Sequence, residues 1–118
     1  MTKAAIVVLA DTDTYEALGR LTNALYAVKE FRDAGDEVSL IFDGAGVKWI
    51  GELAKPEHMY HAMFQEVRDC TGGVCEYCAK AFKVMAAVEA AGVPLANEHE
   101  GHPSFRRLMQ QGYQPITF

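Results

Sequence analysis

The stretch Ala4-Ala5-Ile6-Val7-Val8-Leu9-Ala10 decides how the rest of the chain is interpreted. It is a continuous apolar run that contains β-branched residues, a pattern typical of a strand buried on both faces of a parallel sheet. Such a sheet is covered by helices, so helical segments should alternate with further strands along the chain. The sequence therefore predicts an α/β protein with a mostly parallel sheet.

The remaining segments follow this alternation. Four more strands are predicted, over residues 37–42, 71–75, 93–96 and 113–118. Pro94 and Pro115 lack the N–H of an interior strand, so Pro94 indicates a strand start or a sheet edge and Pro115 indicates a sheet edge. A first helix is predicted from a capping box at Asp13 and Glu16 to about residue 34, with Gly35 as its C-cap. Further helices are predicted over residues 47–55, 57–69, 78–91 and 103–112. Together these elements predict a three-layer α/β/α sandwich with a five-stranded sheet, forming one domain over residues 1–118.

Composition narrows the classes of function. The formal net charge is −5 and there is no long run of Lys or Arg, which argues against a nucleic-acid-binding face. No segment has the roughly 18–20 apolar residues of a membrane span, and the N-terminus does not resemble a signal peptide. The three cysteines fall within residues 70–78 rather than forming a spread, even-numbered disulfide set. We therefore expect a cytoplasmic protein with reduced thiols.

Polar and reactive residues collect in four predicted loops. These loops cover residues 11–14, 43–46, 75–78 and 97–102, each following a predicted strand. In open parallel sheets, ligands bind beyond the carboxyl ends of the strands. The candidate ligand-binding residues in these loops are Asp11, Asp43, Gly44, Asn97 and His99.

Cys75 is the sharpest candidate for a catalytic residue. It lies where a strand is predicted to end and a helix to begin, a position that can lower a thiol pKa from about 8.5 to roughly 3.5–7.5. Glu76 should oppose this effect, whereas Lys80 and Lys83 should help it. Cys78 completes a C-x-x-C spacing, which allows a disulfide or a shared metal. The alternative is that Cys75 is a small buried apolar residue.

Metal binding is the less favoured interpretation of the remaining cysteines and histidines. Cys70 extends the C-x-x-C to the spacing of an iron–sulfur run, but that site needs a fourth cysteine and the chain has three. His58 and His61, and likewise His99 and His102 around a Glu-Gly turn, are interpreted as solvated or capping residues. A zinc site assembled from histidines and cysteines stays as an alternative. We therefore expect no metal. We also expect no cofactor, and the Gly-rich motifs of dinucleotide and P-loop sites are missing from the sequence.

Several features together resemble the DsrE/DsrF-like (YchN-type) family. They are the order of elements, the strand ending in Val74-Cys75, the small-residue helix start at Ala79 and the closing Gly112-Tyr113-Gln114 strand. The resemblance covers essentially the whole chain. In the family's sulfur-relay members, one cysteine at this junction carries sulfur as a persulfide, and the match falls on Cys75. Those members usually have a small residue where this chain has Cys78, a departure that points to a dithiol role.

The resemblance implies a sulfur-carrier or sulfur-transfer protein with a persulfide on Cys75 and Cys78 as a resolving thiol. Its partners would be a sulfur donor or acceptor protein, with no direct contact to nucleic acid or membrane. Whether it acts as an enzyme, a sulfurtransferase, stays open. The alternatives are a non-catalytic module of the same fold that binds a small ligand or a partner, and a CxxC redox protein.

We also expect a homo-oligomer, a trimer or hexamer, with a dimer as the less favoured alternative. The resemblance implies such an assembly, and apolar residues crowd the middle helices in a way that would suit a subunit interface. The alternative is that these side chains fill the chain's own core. The residues concerned are Trp49, Ile50, Met59, Tyr60, Met63 and Phe64.

Overall fold

The computed structural model describes residues Met1–Phe118. Its strands are β1 (Lys3–Val8), β2 (Glu37–Phe42), β3 (Thr71–Cys75), β4 (Leu95–Ala96) and β5 (Gln114–Thr117). Its helices are α1 (Tyr15–Asp33), α2 (Trp49–Leu53), α3 (His61–Val67), α4 (Glu76–Ala81), α5 (Met85–Ala91) and α6 (Phe105–Gln110). Two 3₁₀ turns, Gly44–Lys48 and Arg68–Cys70, follow β2 and precede β3. None of the helices combines the length and apolar character needed to cross a bilayer.

The strands form one sheet in the order β4-β3-β2-β1-β5, and every pairing is parallel. The predicted sheet is therefore confirmed, and it contains no antiparallel strand. β4 and β5 are the two edges, as Pro94 and Pro115 predicted. β1 lies between β2 and β5, and its residues Ala5–Val8 are fully buried, which is the environment that their apolar run indicated.

The two faces of the sheet are covered unequally. Ile6 and Val8 point towards the larger core cluster, which draws residues from α1 to α5. Val7 and Ile41 point to the opposite face, where Leu108 of α6 packs on a cluster of only 3 buried residues. The predicted three-layer architecture is confirmed, with five helices in one outer layer and a single short helix in the other.

The aromatic and apolar residues of the middle helices belong to the larger core. Trp49, Ile50 and Phe64 are at most 2% exposed, and Tyr60 and Met63 pack against them. Of the residues considered for a subunit interface, Met59 is the one that lies exposed. The sequence left two alternatives for this group, and the structure supports the internal core over a surface patch.

The helices are shorter than predicted, α3 by four residues at its start, and two predictions are wrong. The N-cap of α1 is Thr14, whose hydroxyl accepts a hydrogen bond from Ala17 N at 3.0 Å, so the predicted capping role of Asp13 is wrong. The predicted helix over residues 78–91 is also wrong, because the chain forms two helices that are separated at Lys83.

A tight C-terminal cap ends α4. Lys83 has a φ of 58°, in the left-handed region that favours glycine. Val84 N donates to Ala79 O at 2.9 Å and Lys83 N donates to Lys80 O at 3.1 Å, the two bonds of a Schellman motif. Val84 then turns inward and packs on the larger core. A lysine at the position usually taken by glycine left no signal in the sequence for this helix end.

The strain at Lys83 yields a stability prediction. Lys83→Gly should raise the free energy of unfolding by about 1 kcal/mol, because glycine adopts the left-handed conformation without the steric penalty of a Cβ. Lys83→Ala is the matched control, since it removes the side chain but keeps the Cβ, and it should leave stability nearly unchanged. Urea unfolding measures both; a Lys83→Gly variant no more stable than Lys83→Ala contradicts the prediction.

Candidate functional site

The chain leaves two neighbouring strands in opposite directions. After β3 it enters α4 on the thickly covered face, and after β4 it runs to α6 on the other face. Adjacent parallel strands whose connections diverge open a crevice at their carboxyl ends, where α/β proteins bind ligands. Here that crevice lies between Cys75, the last residue of β3, and the loop that follows β4.

Cys75 is held at the junction between strand and helix. It pairs in register with Ala96 of β4 and is the N-cap of α4. Its Sγ accepts a hydrogen bond from Cys78 N at 3.3 Å, in the way that a Ser or Asp caps a helix. The thiol is fully buried. The predicted position of Cys75 is therefore correct, and its neighbour in space is Cys78.

The loop after β4 is a tight hairpin centred on Glu100 and Gly101. His99 N and His102 N each donate to the other residue's carbonyl, at 2.9 and 2.8 Å. Glu100 and Gly101 both have positive φ, 50° and 86°, as the central residues of a type I′ turn require. Gly101 O accepts a hydrogen bond from Tyr77 N at 2.9 Å, which ties the turn to the start of α4.

This hairpin brings His102 to the thiol. His102 Nδ1 lies 3.4 Å from Cys75 Sγ, and the imidazole stacks on the Tyr77 ring with a centroid distance of 4.5 Å and an angle of 31°. Cys75 Sγ also lies 3.8 Å from Gly101 O. The buried thiol therefore has two acceptors for its proton, one of them a titratable ring nitrogen.

Asp43 completes the cluster from the end of β2. Its Oδ1 accepts a hydrogen bond from Gly44 N at 2.8 Å, which caps the 3₁₀ turn. Cys78 Sγ donates to the same oxygen at 3.6 Å. The polar atoms of Asp43, Cys75, Cys78 and His102 all lie within 4.8 Å of one another.

The electrostatic environment of Cys75 is opposite to the one predicted. Burial raises the pKa of its thiol to about 12; the Cys78 N–H opposes this, while the Cys78 thiol and the Asp43 charge add to it. Lys80 gives no visible help, because its ammonium is exposed and lies 3.8 Å from Glu76. The expected lowering of the pKa by the helix N-terminus is therefore outweighed by the loss of water around the sulfur.

A model of the DsrE/DsrF-like family matches residues 4–118. The chain belongs to the DsrE/DsrF-like family. The uncharacterized protein MJ0733 of Methanocaldococcus jannaschii is 31% identical over 96 residues, which span 81% of this chain and 78% of that protein.

A solved structure supports the fold of this DsrE/DsrF-like chain. It is that of the conserved protein of unknown function BT1422 from Bacteroides thetaiotaomicron. The TM-score is 0.63 at 15% sequence identity, with 97% of this chain and 94% of the other covered. At this identity the likeness concerns the fold alone.

The other candidate residues lie outside the cluster. Asp11 accepts a hydrogen bond from Lys48 Nζ at 2.8 Å, which lowers the pKa of its carboxyl. Asn97 lines a shallow groove at the β4 edge of the sheet. The His99 side chain is 69% exposed and lies 3.8 Å from Glu100. Of the five ligand-binding candidates predicted in the loops, the structure brings Asp43, with its neighbour Gly44, to the cysteines.

His58 and His61 have structural roles, as interpreted from the sequence. His58 Nδ1 accepts a hydrogen bond from Tyr60 N at 3.0 Å, and His61 Nδ1 lies 2.7 Å from Leu53 O. Cys70 is half-buried at the end of a 3₁₀ turn and takes no part in the cluster.

Sequence reasoning did not select His102. The loop over residues 97–102 was placed correctly at the strand ends, but His99 was chosen from it. The Glu-Gly pair between the two histidines is a hairpin-turn signal, and it indicated that they flank a tight turn. Which of the two faces the thiol depends on how that turn docks on Tyr77, a contact that the sequence does not encode locally.

The raised pKa predicts the pH dependence of thiol reactivity. In the folded, reduced protein, alkylation of Cys75 by iodoacetamide should be slow near neutral pH. Its rate should keep rising about tenfold per pH unit beyond 8.5, the ordinary thiol pKa, because the thiolate population grows until the pH approaches about 12. Mass spectrometry of the alkylated peptides at several pH values measures this rate, with urea-unfolded protein as the control. A rate for the folded protein that levels off near the ordinary pKa contradicts the prediction.

Proposed function

We propose that the chain is a sulfur-carrier protein that holds sulfane sulfur as a persulfide on Cys75, with Cys78 as a second thiol. The observation that carries the proposal is the cluster itself, with His102 Nδ1 3.4 Å from Cys75 Sγ and the Cys78 sulfur within 4.8 Å. Membership of the DsrE/DsrF-like family supports a place in sulfur relay. A reducing compartment such as the cytoplasm suits the three free thiols.

Loading requires one exchange of sulfur between thiols. Cys75 thiolate attacks the outer sulfur of a donor persulfide, R–S–SH; a new S–S bond forms on Cys75 while the donor's S–S bond breaks, and R–S⁻ leaves. His102 Nδ1 accepts the Cys75 proton beforehand and returns it to the leaving thiolate. The products are Cys75–S–SH and R–SH, so no external oxidant is needed.

Cys78 offers two ways to unload the sulfur. Its thiolate can attack the terminal sulfur, which moves the persulfide to Cys78 and regenerates Cys75. It can instead attack Cys75 Sγ, which forms a Cys75–Cys78 disulfide and releases hydrosulfide, after which a thiol reductant restores the dithiol. Cys78 is half-buried whereas Cys75 is fully buried, so Cys78 lies closer to an acceptor in solution.

The burial of Cys75 also fits an alternative, a non-catalytic binding module in which this cysteine only packs in the core. A fully buried thiol with a pKa raised to about 12 is also what a packing cysteine would show. In that alternative the loops at the strand ends bind a small ligand or a partner, and the chain performs no sulfur chemistry. The third option is a CxxC redox protein that cycles between dithiol and disulfide. It differs from a sulfur carrier because its disulfide forms without any sulfur adduct.

Sulfur uptake tests the proposal directly. Reduced protein incubated with cysteine persulfide should gain one sulfur atom by intact-mass spectrometry, and Cys75→Ser should abolish the gain. Cys70→Ser is the matched control and should behave like the wild type, because Cys70 lies outside the cluster. His102→Gln should slow uptake at least about tenfold through loss of the proton acceptor.

Two outcomes would contradict the proposal: no adduct on either the wild type or Cys78→Ser, or the same adduct on Cys75→Ser. The Cys78→Ser variant reports on unloading. It should accumulate the persulfide, whereas the wild type should release hydrosulfide or pass the sulfur to an added thiol acceptor. A wild-type disulfide that forms without any sulfur donor and without a sulfur adduct identifies the redox alternative.

We also propose that the chain assembles as a homo-oligomer, a trimer or hexamer. Support comes from the thin layer on one face of the sheet, where α6 covers 3 buried residues. Phe105 and Met109 of this helix are 38% and 64% exposed. A face with so little cover of its own is suited to contact with another subunit.

Light scattering measures the assembly. A trimer or hexamer should give three or six times the chain mass of 13.0 kDa at micromolar concentration. Met109→Glu should lower the mass, because it introduces a charge on the exposed side of α6. Tyr15→Glu, at an exposed position on α1, is the matched control. A wild-type mass near that of one chain contradicts the proposal.

A further inference from the structure

We infer that Asp43, Cys75, Cys78 and His102 form a binding site for a thiophilic divalent cation, with Zn²⁺ as the best match. Their ligand atoms all lie within 4.8 Å of one another. Two thiolates, an imidazole nitrogen and a carboxylate oxygen are the donor types that Zn²⁺ takes in proteins. The inference goes beyond sulfur carriage, because it requires no sulfur chemistry.

The distances between the ligand atoms fit a tetrahedron. With Zn–S near 2.3 Å and Zn–N or Zn–O near 2.0 Å, neighbouring sulfur and nitrogen or oxygen ligands lie about 3.5 Å apart. Cys75 Sγ and His102 Nδ1 are separated by 3.4 Å, and Cys78 Sγ and Asp43 Oδ1 by 3.6 Å. These two pairs share no atom, so they form opposite edges of the tetrahedron. The remaining pairs are at most 4.8 Å apart, so these ligands need to close by no more than about 1 to 1.5 Å.

Surrounding groups hold the ligands in place. Cys78 N–H donates to Cys75 Sγ at 3.3 Å, a bond that favours the thiolate. Gly44 N–H fixes the Asp43 carboxylate at 2.8 Å, and the Tyr77 ring stacks on His102. Outer contacts of this kind orient ligands and strengthen metal binding. The site is therefore largely formed before a cation arrives.

The cluster also lacks a cationic partner from the protein. The ion pairs of the chain involve none of its four residues. Asp43 instead faces the sulfur of Cys78, which becomes a second negative charge on deprotonation. A divalent cation would neutralise much of this charge at a position where no Lys or Arg does so.

Four protein ligands define the type of site. They fill a tetrahedral coordination shell, which is characteristic of structural zinc and leaves no open position for a substrate. Because the cation uses both sulfurs, bound Zn²⁺ and a persulfide on Cys75 would exclude each other. This last consequence rests on the proposed function, whereas cation binding itself does not.

Titration of the reduced protein with Co²⁺ tests the inference. One Co²⁺ per chain should give the intense visible bands of tetrahedral cobalt and a thiolate-to-cobalt charge-transfer band, and Zn²⁺ should displace it. Cys78→Ser and His102→Gln should weaken binding at least about tenfold, and Asp43→Asn by a similar factor. Cys70→Ser and His99→Gln are the matched controls and should bind as the wild type does. Circular dichroism establishes that each variant is folded.

The inference is overturned by an octahedral spectrum or no spectrum with the wild type, or by wild-type binding in folded Cys78→Ser protein. The sulfur-uptake assay, run with a chelator, decides the proposed function separately. Tetrahedral cobalt binding without a sulfur adduct supports the metal site and contradicts sulfur carriage. A sulfur adduct without tetrahedral cobalt overturns the metal site and retains sulfur carriage.

Discussion

The parallel pairing of β3 with β4 is the interaction on which the site depends. It is short, because β4 has only two residues and the register joins Val74 to Leu95 and Cys75 to Ala96. The strands approach closely at Gly73, where an added Cβ would lie 2.6 Å from Ala96 Cβ. The chain leaves these strands towards opposite faces, and their pairing, together with the Tyr77 N–H bond to Gly101 O, sets the hairpin after β4 beside the thiol at the end of β3.

Burial and reactivity oppose each other at Cys75. A sulfur without water around it resists ionisation, yet both sulfur exchange and metal binding require a thiolate. Two features of the cluster would offset this cost of ionisation. The His102 nitrogen can accept the proton of the thiol, and a cation held by the four side chains would balance the negative charge of the thiolate. Cys78 is half-buried, so it connects the cluster to solvent whether the cluster holds a persulfide or a cation. The same four side chains therefore suit storage of a sulfur atom or of a cation, and a buried persulfide would be shielded from reductants.

Features with a local physical cause could be predicted from the sequence. The apolar run of β1 indicated burial on both faces, and Pro94 and Pro115 indicated the sheet edges because proline removes a donor from the ladder. Gly35 marked the end of α1, and it forms a Schellman cap in which Asp36 N donates to Phe31 O at 3.0 Å. The identical cap at Lys83 could not be predicted, because packing of Val84 on the core, rather than a residue preference, ends the helix there.

The site shows the same division between local and distant causes. The N-terminus of α4 lowers the pKa of Cys75 through one nearby N–H, that of Cys78, and the sequence predicted the direction of this effect correctly. Burial acts through every element packed around the sulfur, and it reverses the net direction of the pKa shift. The partners Asp43 and His102 follow other strands, at 32 and 27 positions from Cys75, and only the sheet order brings them together. A strand-end cysteine can thus be found from sequence, whereas its chemistry is determined by residues that the topology places around it.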